Sequence, residues 1–201
     1  MINKVINGYS EKNGAQFPVL LLEDEQGKLV DVRKLEDSVI LVNTWGTWCS
    51  PCINEIPDLN NLNEKLQKAK GIKLVNICIS SKKDEWLATV KKEKLQGLNL
   101  FMPDSLEAVY MTALGLDDEG LPYNLFIGPD RKVLGGRIGI DANGNDLWAI
   151  YMLMQAKKNI DATRSAKEFI TLFGKVETKN DPEVDRFIKF LTEYADKKPG
   201  K

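Results

Sequence analysis

A chain of 201 residues with 43% hydrophobic and 28% charged side chains has the apolar material for one substantial core, and its length suits one domain with an appendage. A net charge of -1 gives no electrostatic case for nucleic acid or an anionic membrane. No run approaches the roughly 18 apolar residues of a membrane span, and Met1 to Gly8 hold no signal-peptide core, so as written the sequence reads as that of a soluble protein.

Residues 1 to 14 are polar and expected to be poorly ordered at the start. Phe17 to Leu22 and Lys28 to Val30 flank Glu23 to Gly27 as a hairpin with its glycine in the turn. Val32 to Leu35 predicts a short helical turn, and Val39 to Asn43 a strand apolar enough to be buried on both faces. Then comes Trp45-Gly46-Thr47-Trp48-Cys49-Ser50-Pro51-Cys52, followed by a long amphipathic segment. That order predicts strand, turn, helix.

Two cysteines three apart at a helix start sit on one turn with Cβ atoms roughly 5–6 Å apart, close enough to bridge with little backbone movement. Such a dithiol can open and close reversibly. Cys49 falls where unpaired N–H groups and the positive end of the helix dipole stabilise a thiolate, lowering its pKa from about 8.5 toward about 3.5–7.5. Along the helix Cys52, Glu55, Leu59, Leu62, Leu66 and Ala69 recur at steps of three and four, which places them on one stripe facing the core. Glu55 is thereby a carboxylate in line with the second cysteine. The plainer reading makes it a solvated margin of the stripe, the more so with Pro57 distorting the helix nearby. Lys70-Gly71 ends the segment as a cation followed by a glycine.

Lys73 to Ile79 is the next strand, and its Cys78 reads as an inert buried thiol. Ser81-Lys82-Lys83-Asp84 is expected to cap a helix carrying Trp86, Leu87 and Val90 and ended by Gly97. Leu98 to Met102 is a short strand. Asp104-Ser105-Leu106-Glu107 is expected to cap a further helix with Val109, Tyr110, Ala113 and Leu114, ended by Gly115. Gly120 to Ile127 is a loop and strand, Gly128 to Arg131 a turn, and Lys132 to Ile140 an antiparallel neighbour. Asn145 to Met154 predicts a helix with Leu147, Trp148, Tyr151 and Met154 on one face. Two more helices follow, Ala166 to Phe173 and Pro182 to Tyr194, the second with Asp181 as N-cap and Val184, Phe187, Ile188, Leu191 and Tyr194 inward. Their apolar stripes need a surface: the parent domain by default, a second copy or a partner as the sharper alternative.

A zinc site normally adds a second Cys or His pair to a Cys-x-x-Cys, and this chain has three cysteines and no histidine. A structural disulfide across so short a loop stabilises little. A soft-metal carrier using the two thiolates stays open as a different class of function.

The motif, followed by Ile53-Asn54-Glu55-Ile56-Pro57, resembles the thioredoxin superfamily, closest to its TlpA/ResA-like thiol-disulfide oxidoreductases, with W-x-x-W-C-x-P-C after a strand and a Glu and a Pro soon after the second cysteine. The likeness runs from about Ala15 to about Tyr151. It implies an α/β fold, a thioredoxin-like sandwich with a central mixed β-sheet, an N-terminal hairpin, an inserted strand and helix, and extra C-terminal helices. The domains are then 1–158, with a core from about 15, and a helical C-terminal extension over 159–201.

The resemblance also implies an enzyme that reduces disulfides of partner proteins. Cys49 attacks, Cys52 resolves, and Trp48, Ser50, Pro51, Leu121 and Pro122 form the substrate groove. Pro122 stands at the superfamily's cis-proline loop, and proline alone adopts a cis peptide at a cost of only about 0.5–1 kcal/mol. Tyr123 departs from the small hydroxyl residue usual next in the family, which bears on the groove's shape. Asn43 replaces the buried Asp of plain thioredoxins and cannot exchange a proton, so Glu55 is the candidate base, its charged form disfavoured by desolvation and by the nearby thiolate. No metal and no cofactor beyond the redox-active disulfide are implied. The partners are protein thiols or disulfides and an upstream electron donor, with self-association through the C-terminal helices open. The implied location is extracytoplasmic, periplasmic or anchored to a membrane. A disulfide-forming oxidase or isomerase is the rival within the class, since direction depends on reduction potential; no peroxidatic Pro-x-x-x-Thr-x-x-Cys pattern surrounds Cys49.

Overall fold

The computed structural model describes residue 9 and residues 12–36, 39–116, 119–140, 145–178 and 180–195, so the expectation for the first eight residues lies outside the described residues. Among the described residues, seven strands form one mixed sheet in the order β2-β1-β5-β4-β3-β6-β7. The three central strands are parallel: β3 (Val39–Trp45), β4 (Ile72–Cys78) and β5 (Leu98–Phe101). On the other side of β3, β6 (Tyr123–Ile127) pairs antiparallel with it and β7 (Val133–Gly136) pairs antiparallel with β6, while the hairpin β1 (Leu21–Asp24) and β2 (Leu29–Asp31) adds to β5 through β1. All seven residues of β3 are buried, as the apolar run requires of a strand covered on both faces.

Among the described residues there are six helices packed on the sheet or on one another: α1 (Ser50–Leu66), α2 (Lys83–Glu93), α3 (Asp104–Leu114), α4 (Asn145–Ala156), α5 (Ala162–Phe173) and α6 (Pro182–Tyr194). Alternate residues of β3 divide between the two faces. Val39 and Leu41 join Leu59, Leu62 and Leu66 of α1 and the inner side of α4. Ile40 and Val42 join Phe17, Leu20 and α3's Tyr110 and Leu114 on the other face. The inserted β5 and α3 thus widen the sheet and cover the face away from α1.

Several expectations shift for physical reasons. The hairpin's first strand starts at Leu21, because the Phe17 segment pairs instead with the loop before β7, Phe17 N–H donating to Arg131 O. The predicted strand over 132–140 is regular only over Val133–Gly136, after a register shift at Phe126/Ile127. Neither Ser81 nor Asp104 caps its helix: α2 and α3 begin after Lys82 and Pro103, which make no side-chain cap bond. Lys94, in the left-handed conformation, closes α2 ahead of Gly97. Gly115 closes α3 as expected, at φ 62°. Helix α1 runs through Pro57 and tightens into a 3-10 turn over Gln67–Ala69 before Lys70 and Gly71.

Helix α4 is buried nearly all round, at Ala149, Ile150, Met152 and Leu153 as well as Tyr151, because α5 and α6 lie over its outer side. The extension docks on the chain's own core. Phe169, Phe187 and Phe190 ring Tyr151 at centroid distances of 5.4, 5.6 and 5.3 Å, contacts worth about 0.5–1.5 kcal/mol each beyond burial. Helix α6 starts as expected, with Asp181 accepting from Glu183 N and Val184 N, but Phe190 takes the inward place expected of Ile188, which is 38% exposed.

Candidate redox site

Strand β3 ends at Trp45, Gly46 to Trp48 turn the chain, and Cys49 is the N-cap of α1. Cys49 and Cys52 form a disulfide across the first turn, with Cα atoms 5.2 Å apart. Cys52 N–H donates to Cys49 Sγ at 3.2 Å, so a backbone donor at the positive end of the helix already faces the first sulfur. In this oxidised form both cysteines are buried, Cys49 at 4% and Cys52 at 2% exposure.

Both cysteines belong to an apolar cluster with Trp45, Ile56, Cys78, Trp86 and Val90, and Leu121 packs against it. The Leu121–Pro122 peptide is cis and opens β6. The structure therefore places Leu121 against the cluster that holds the dithiol, with half-buried Pro122 next in chain. Ser50 and Pro51 are exposed on the first turn of α1, and Trp48 is 64% exposed beside them. Tyr123, whose size bore on the groove, turns into the opposite face: it is 3% exposed and a Cβ on Gly136 would lie 2.5 Å from its hydroxyl, so the glycine makes room for it.

Glu55 is half-buried one turn after Cys52, and its Oε1 accepts from Asn124 Nδ2 at 3.1 Å. It is not merely the solvated edge of the helix. Cys78, in the same cluster, has its thiol pushed up to about 11 by burial, with contacts to Ser81 and the Thr47 backbone opposing the shift and Glu107 adding to it. Such a thiol stays protonated and inert, as the buried strand position suggested.

Two features were not visible in the sequence. Ser81, read as a helix cap, accepts from Thr47 N–H at 3.0 Å and bonds the Thr47 hydroxyl at 3.1 Å, which pins the turn before Cys49. Asn43, Asn76, Asn99 and Asn124 stand in register on four adjacent strands and are all buried. One polar residue at the same depth of four apolar strands was the available signal, but it carries meaning only once the register is known.

Comparison with known proteins agrees with this geometry. The Redoxin family model matches residues 12–145. The thiol-disulfide oxidoreductase ResA of Bacillus subtilis (strain 168) is 30% identical over 125 residues, 62% of this chain and 66% of that protein. ResA of Bacillus anthracis is 36% identical over 62 residues, 31% of this chain and 35% of that protein. The chain thus matches between about a third and two thirds of the length of these relatives. Among solved structures, the thioredoxin domain of a thiol-disulfide oxidoreductase from Bacteroides vulgatus superposes with a TM-score of 0.60 at 19% identity, covering 69% of this chain and 94% of that one. A thiol-disulfide oxidoreductase from Bacteroides fragilis NCTC 9343 gives 0.57 at 23% identity, covering 67% and 98%. At these identities the structures bear on the fold alone, and that fold is thioredoxin-like.

Proposed function

The chain belongs to the Redoxin family, and on that footing we propose that it is a thiol-disulfide oxidoreductase that reduces disulfides in partner proteins through Cys49 and Cys52. The observation that carries the reading is the Cys49–Cys52 disulfide at the start of α1, with Leu121 of the cis-proline loop packed against its cluster.

In the reduced protein the Cys49 thiolate attacks one sulfur of the partner's disulfide; that bond breaks, the other sulfur leaves as a thiolate and takes up a proton. Cys52 then loses its proton and attacks Cys49 Sγ, re-forming the internal disulfide and releasing the partner's second thiol. Two electrons pass to the partner, and an upstream dithiol donor restores the pair. The redox group is the cysteine pair itself, with no added cofactor. Glu55, one turn beyond Cys52 and held from β6, is the group that takes the Cys52 proton. Trp48, Ser50, Pro51, Leu121 and Pro122 form the groove for an extended partner segment, with backbone at the cis proline offering it hydrogen bonds. An extracytoplasmic site of action goes with this role, since disulfides persist in oxidising compartments. Among the described residues no helix is long and apolar enough to cross a membrane.

A redox titration of the pair, run with a disulfide-reduction assay on a model protein substrate, tests the direction. A reductase lies near thioredoxin's about -270 mV, and a value near the about -120 mV of a strong oxidant overturns the reading. Glu55→Gln is expected to keep the fold and the disulfide while slowing turnover; unchanged turnover removes Glu55 from the chemistry.

A further inference from the structure

The floor beneath α1 is apolar on both sides of one polar line. On this face of the sheet Leu41, Leu74 and Phe126 belong to the core under the second half of α1, while Trp45 and Cys78 belong to the cluster around the cysteines. Between them run Asn124, Asn43, Asn76 and Asn99, each at most 2% exposed. Four amides in such a place cost free energy unless their groups are bonded. Three of them form a chain directed across the sheet: Asn43 Nδ2 donates to Asn76 Oδ1 at 3.2 Å, Asn76 Nδ2 to Asn99 Oδ1 at 2.9 Å, and Asn99 Nδ2 to Glu25 Oε2 at 3.2 Å.

Asn124 breaks the pattern. Its Nδ2 donates away from the row, to Glu55 Oε1 on α1 and to Ile138 O, both at 3.1 Å. A backbone carbonyl and a carboxylate are acceptors, so the amino end of the side chain must face them, and both of its hydrogens are used. Asn124 also lies two residues after cis Pro122, on a strand buried along its whole length and paired with β3 over five positions. The buried strand β6 therefore follows directly on the cis proline and carries the donor to Glu55 at its second residue.

We propose that Asn124 is a positioning residue of the redox site, holding the Glu55 carboxylate in place behind Cys52 and in fixed relation to the cis-proline loop. The inference rests on the reading of Glu55 as the acceptor of the Cys52 proton. On Glu55's own helix Cys52 stands one turn back and the carboxylate of Asp58 one turn ahead, while β6 and β3 beneath carry no charged residue and present the amides of Asn124 and Asn43. A neutral donor keeps the carboxylate oriented without neutralising it, as an ammonium in the same place would.

The test compares wild type, Asn124→Leu, Asn124→Ser, Glu55→Gln and the double variant Glu55→Gln/Asn124→Leu. Two quantities are read: the pH profile of the resolution step in stopped-flow disulfide exchange, and the Glu55 carboxyl titration followed by 13C NMR in the reduced protein. Asn124→Leu is expected to slow resolution about tenfold, less than the roughly hundredfold that a full 1 Å misplacement of a reacting group costs, and to move the Glu55 midpoint to higher pH, because the carboxylate loses a donor. Asn124→Ser, which keeps a short donor, is expected to recover part of both, and the double variant to be no slower than Glu55→Gln alone, since residues acting through one another are not additive. If Glu55→Gln is slow while both Asn124 variants match wild type in rate and in the Glu55 midpoint, Asn124 only completes the amide row and the inference falls alone. If Glu55→Gln matches wild type, the proton-acceptor reading falls and takes the inference with it. Should Asn124→Leu not fold, Asn124→Ser carries the comparison, with a smaller slowing and the same sign of shift expected.

Discussion

Trp48 donates its indole Nε1–H to the carbonyl of Ser80 at 2.8 Å, so the most prominent exposed ring beside the disulfide is tied to the loop after β4. Ser80 is held in turn by Glu107 of α3, which accepts from its backbone N–H at 3.0 Å and its hydroxyl at 2.5 Å. Gly46 lets the indole lie down on the turn: a Cβ there would come within 2.9 Å of Trp48 Nε1. A large side chain that is both exposed and immobilised suits the edge of a binding groove, because little rotamer freedom is left to lose on contact.

From this follows a separation of stability from affinity. Trp48→Ala is expected to lower unfolding free energy by no more than about 1.5 kcal/mol, the net worth of its hydrogen bond to Ser80. Its KM for a protein disulfide should rise about tenfold, the loss of one aromatic contact of about 1.4 kcal/mol. Urea unfolding and steady-state reduction of the same substrate check the two halves; a KM equal to wild type removes Trp48 from the groove.

The three thiols should react in a fixed order once the disulfide is reduced. Cys49 is the N-cap, with the Cys52 N–H directed at its sulfur, Cys52 lies one turn inside the helix, and Cys78 sits in β4 with its thiol held up to about 11. Alkylation at mildly acidic pH is expected to label Cys49 first, Cys52 much later and Cys78 only on unfolding. Peptide mapping over time reads the order, and prior labelling of Cys52 or Cys78 reverses the assignment of nucleophile. Cys52→Ser should then accumulate the mixed disulfide on Cys49, which mass spectrometry detects directly.

Part of the site's geometry was legible from local sequence because its parts are local. A Cys-x-x-Cys at a strand-to-helix turn, a proline with a cis option and a carboxylate at i+3 are each defined within a few residues: Cys49 and Cys52 form the disulfide, the Leu121–Pro122 peptide is cis, and Glu55 lies one turn beyond Cys52 and accepts from Asn124. What stayed hidden depends on register or on packing by distant segments. Ser81 and Asp104 have the composition of caps, yet Ser81 binds Thr47, because the turn before Cys49 offers its hydroxyl a tertiary partner, and Asp104 is the first residue of α3, behind Pro103, rather than its cap. The inward face of α4 was drawn too narrow since α5 and α6 bury its outside, a cover that periodicity within one helix does not reveal.

Lys65 is the clearest case of such a hidden partner, since it lies among the buried residues of α1 and pairs with Asp146 at the start of α4. Their side chains are 8% and 7% exposed. Removing one member leaves the other charge buried and uncompensated, so Lys65→Met or Asp146→Leu alone is expected to cost about 3–5 kcal/mol, whereas the double apolar replacement should recover most of that loss. Denaturant unfolding of the two singles and the double gives the comparison. Single variants within about 0.5 kcal/mol of wild type would show the pair to be solvent-relaxed and of little consequence.

Cys78 makes the last prediction, a loss of stability at alkaline pH that a single substitution removes. Burial raises its pKa from 9.0 to about 11 in the folded protein, the strand and Trp86 cluster leaving no water to solvate a thiolate. Below about pH 9 the thiol is protonated whether the chain is folded or not, and its contribution is constant. Between about 9 and 11 the unfolded chain gives up the proton while the folded one retains it, so stability falls as pH rises and the contribution is gone above the folded value. Two units correspond to roughly 2–3 kcal/mol. Tyr110, whose phenol burial also pushes up, adds its own alkaline slope, but that slope is common to wild type and variant and cancels in their difference. Cys78→Ala should begin less stable at pH 8, from the lost sulfur contacts, and the gap to wild type should close as the pH is raised toward 11. Urea unfolding at half-unit steps measures it: a gap that stays constant across that range means that the thiol titrates alike in both states, and that the cluster around the active disulfide is open to water.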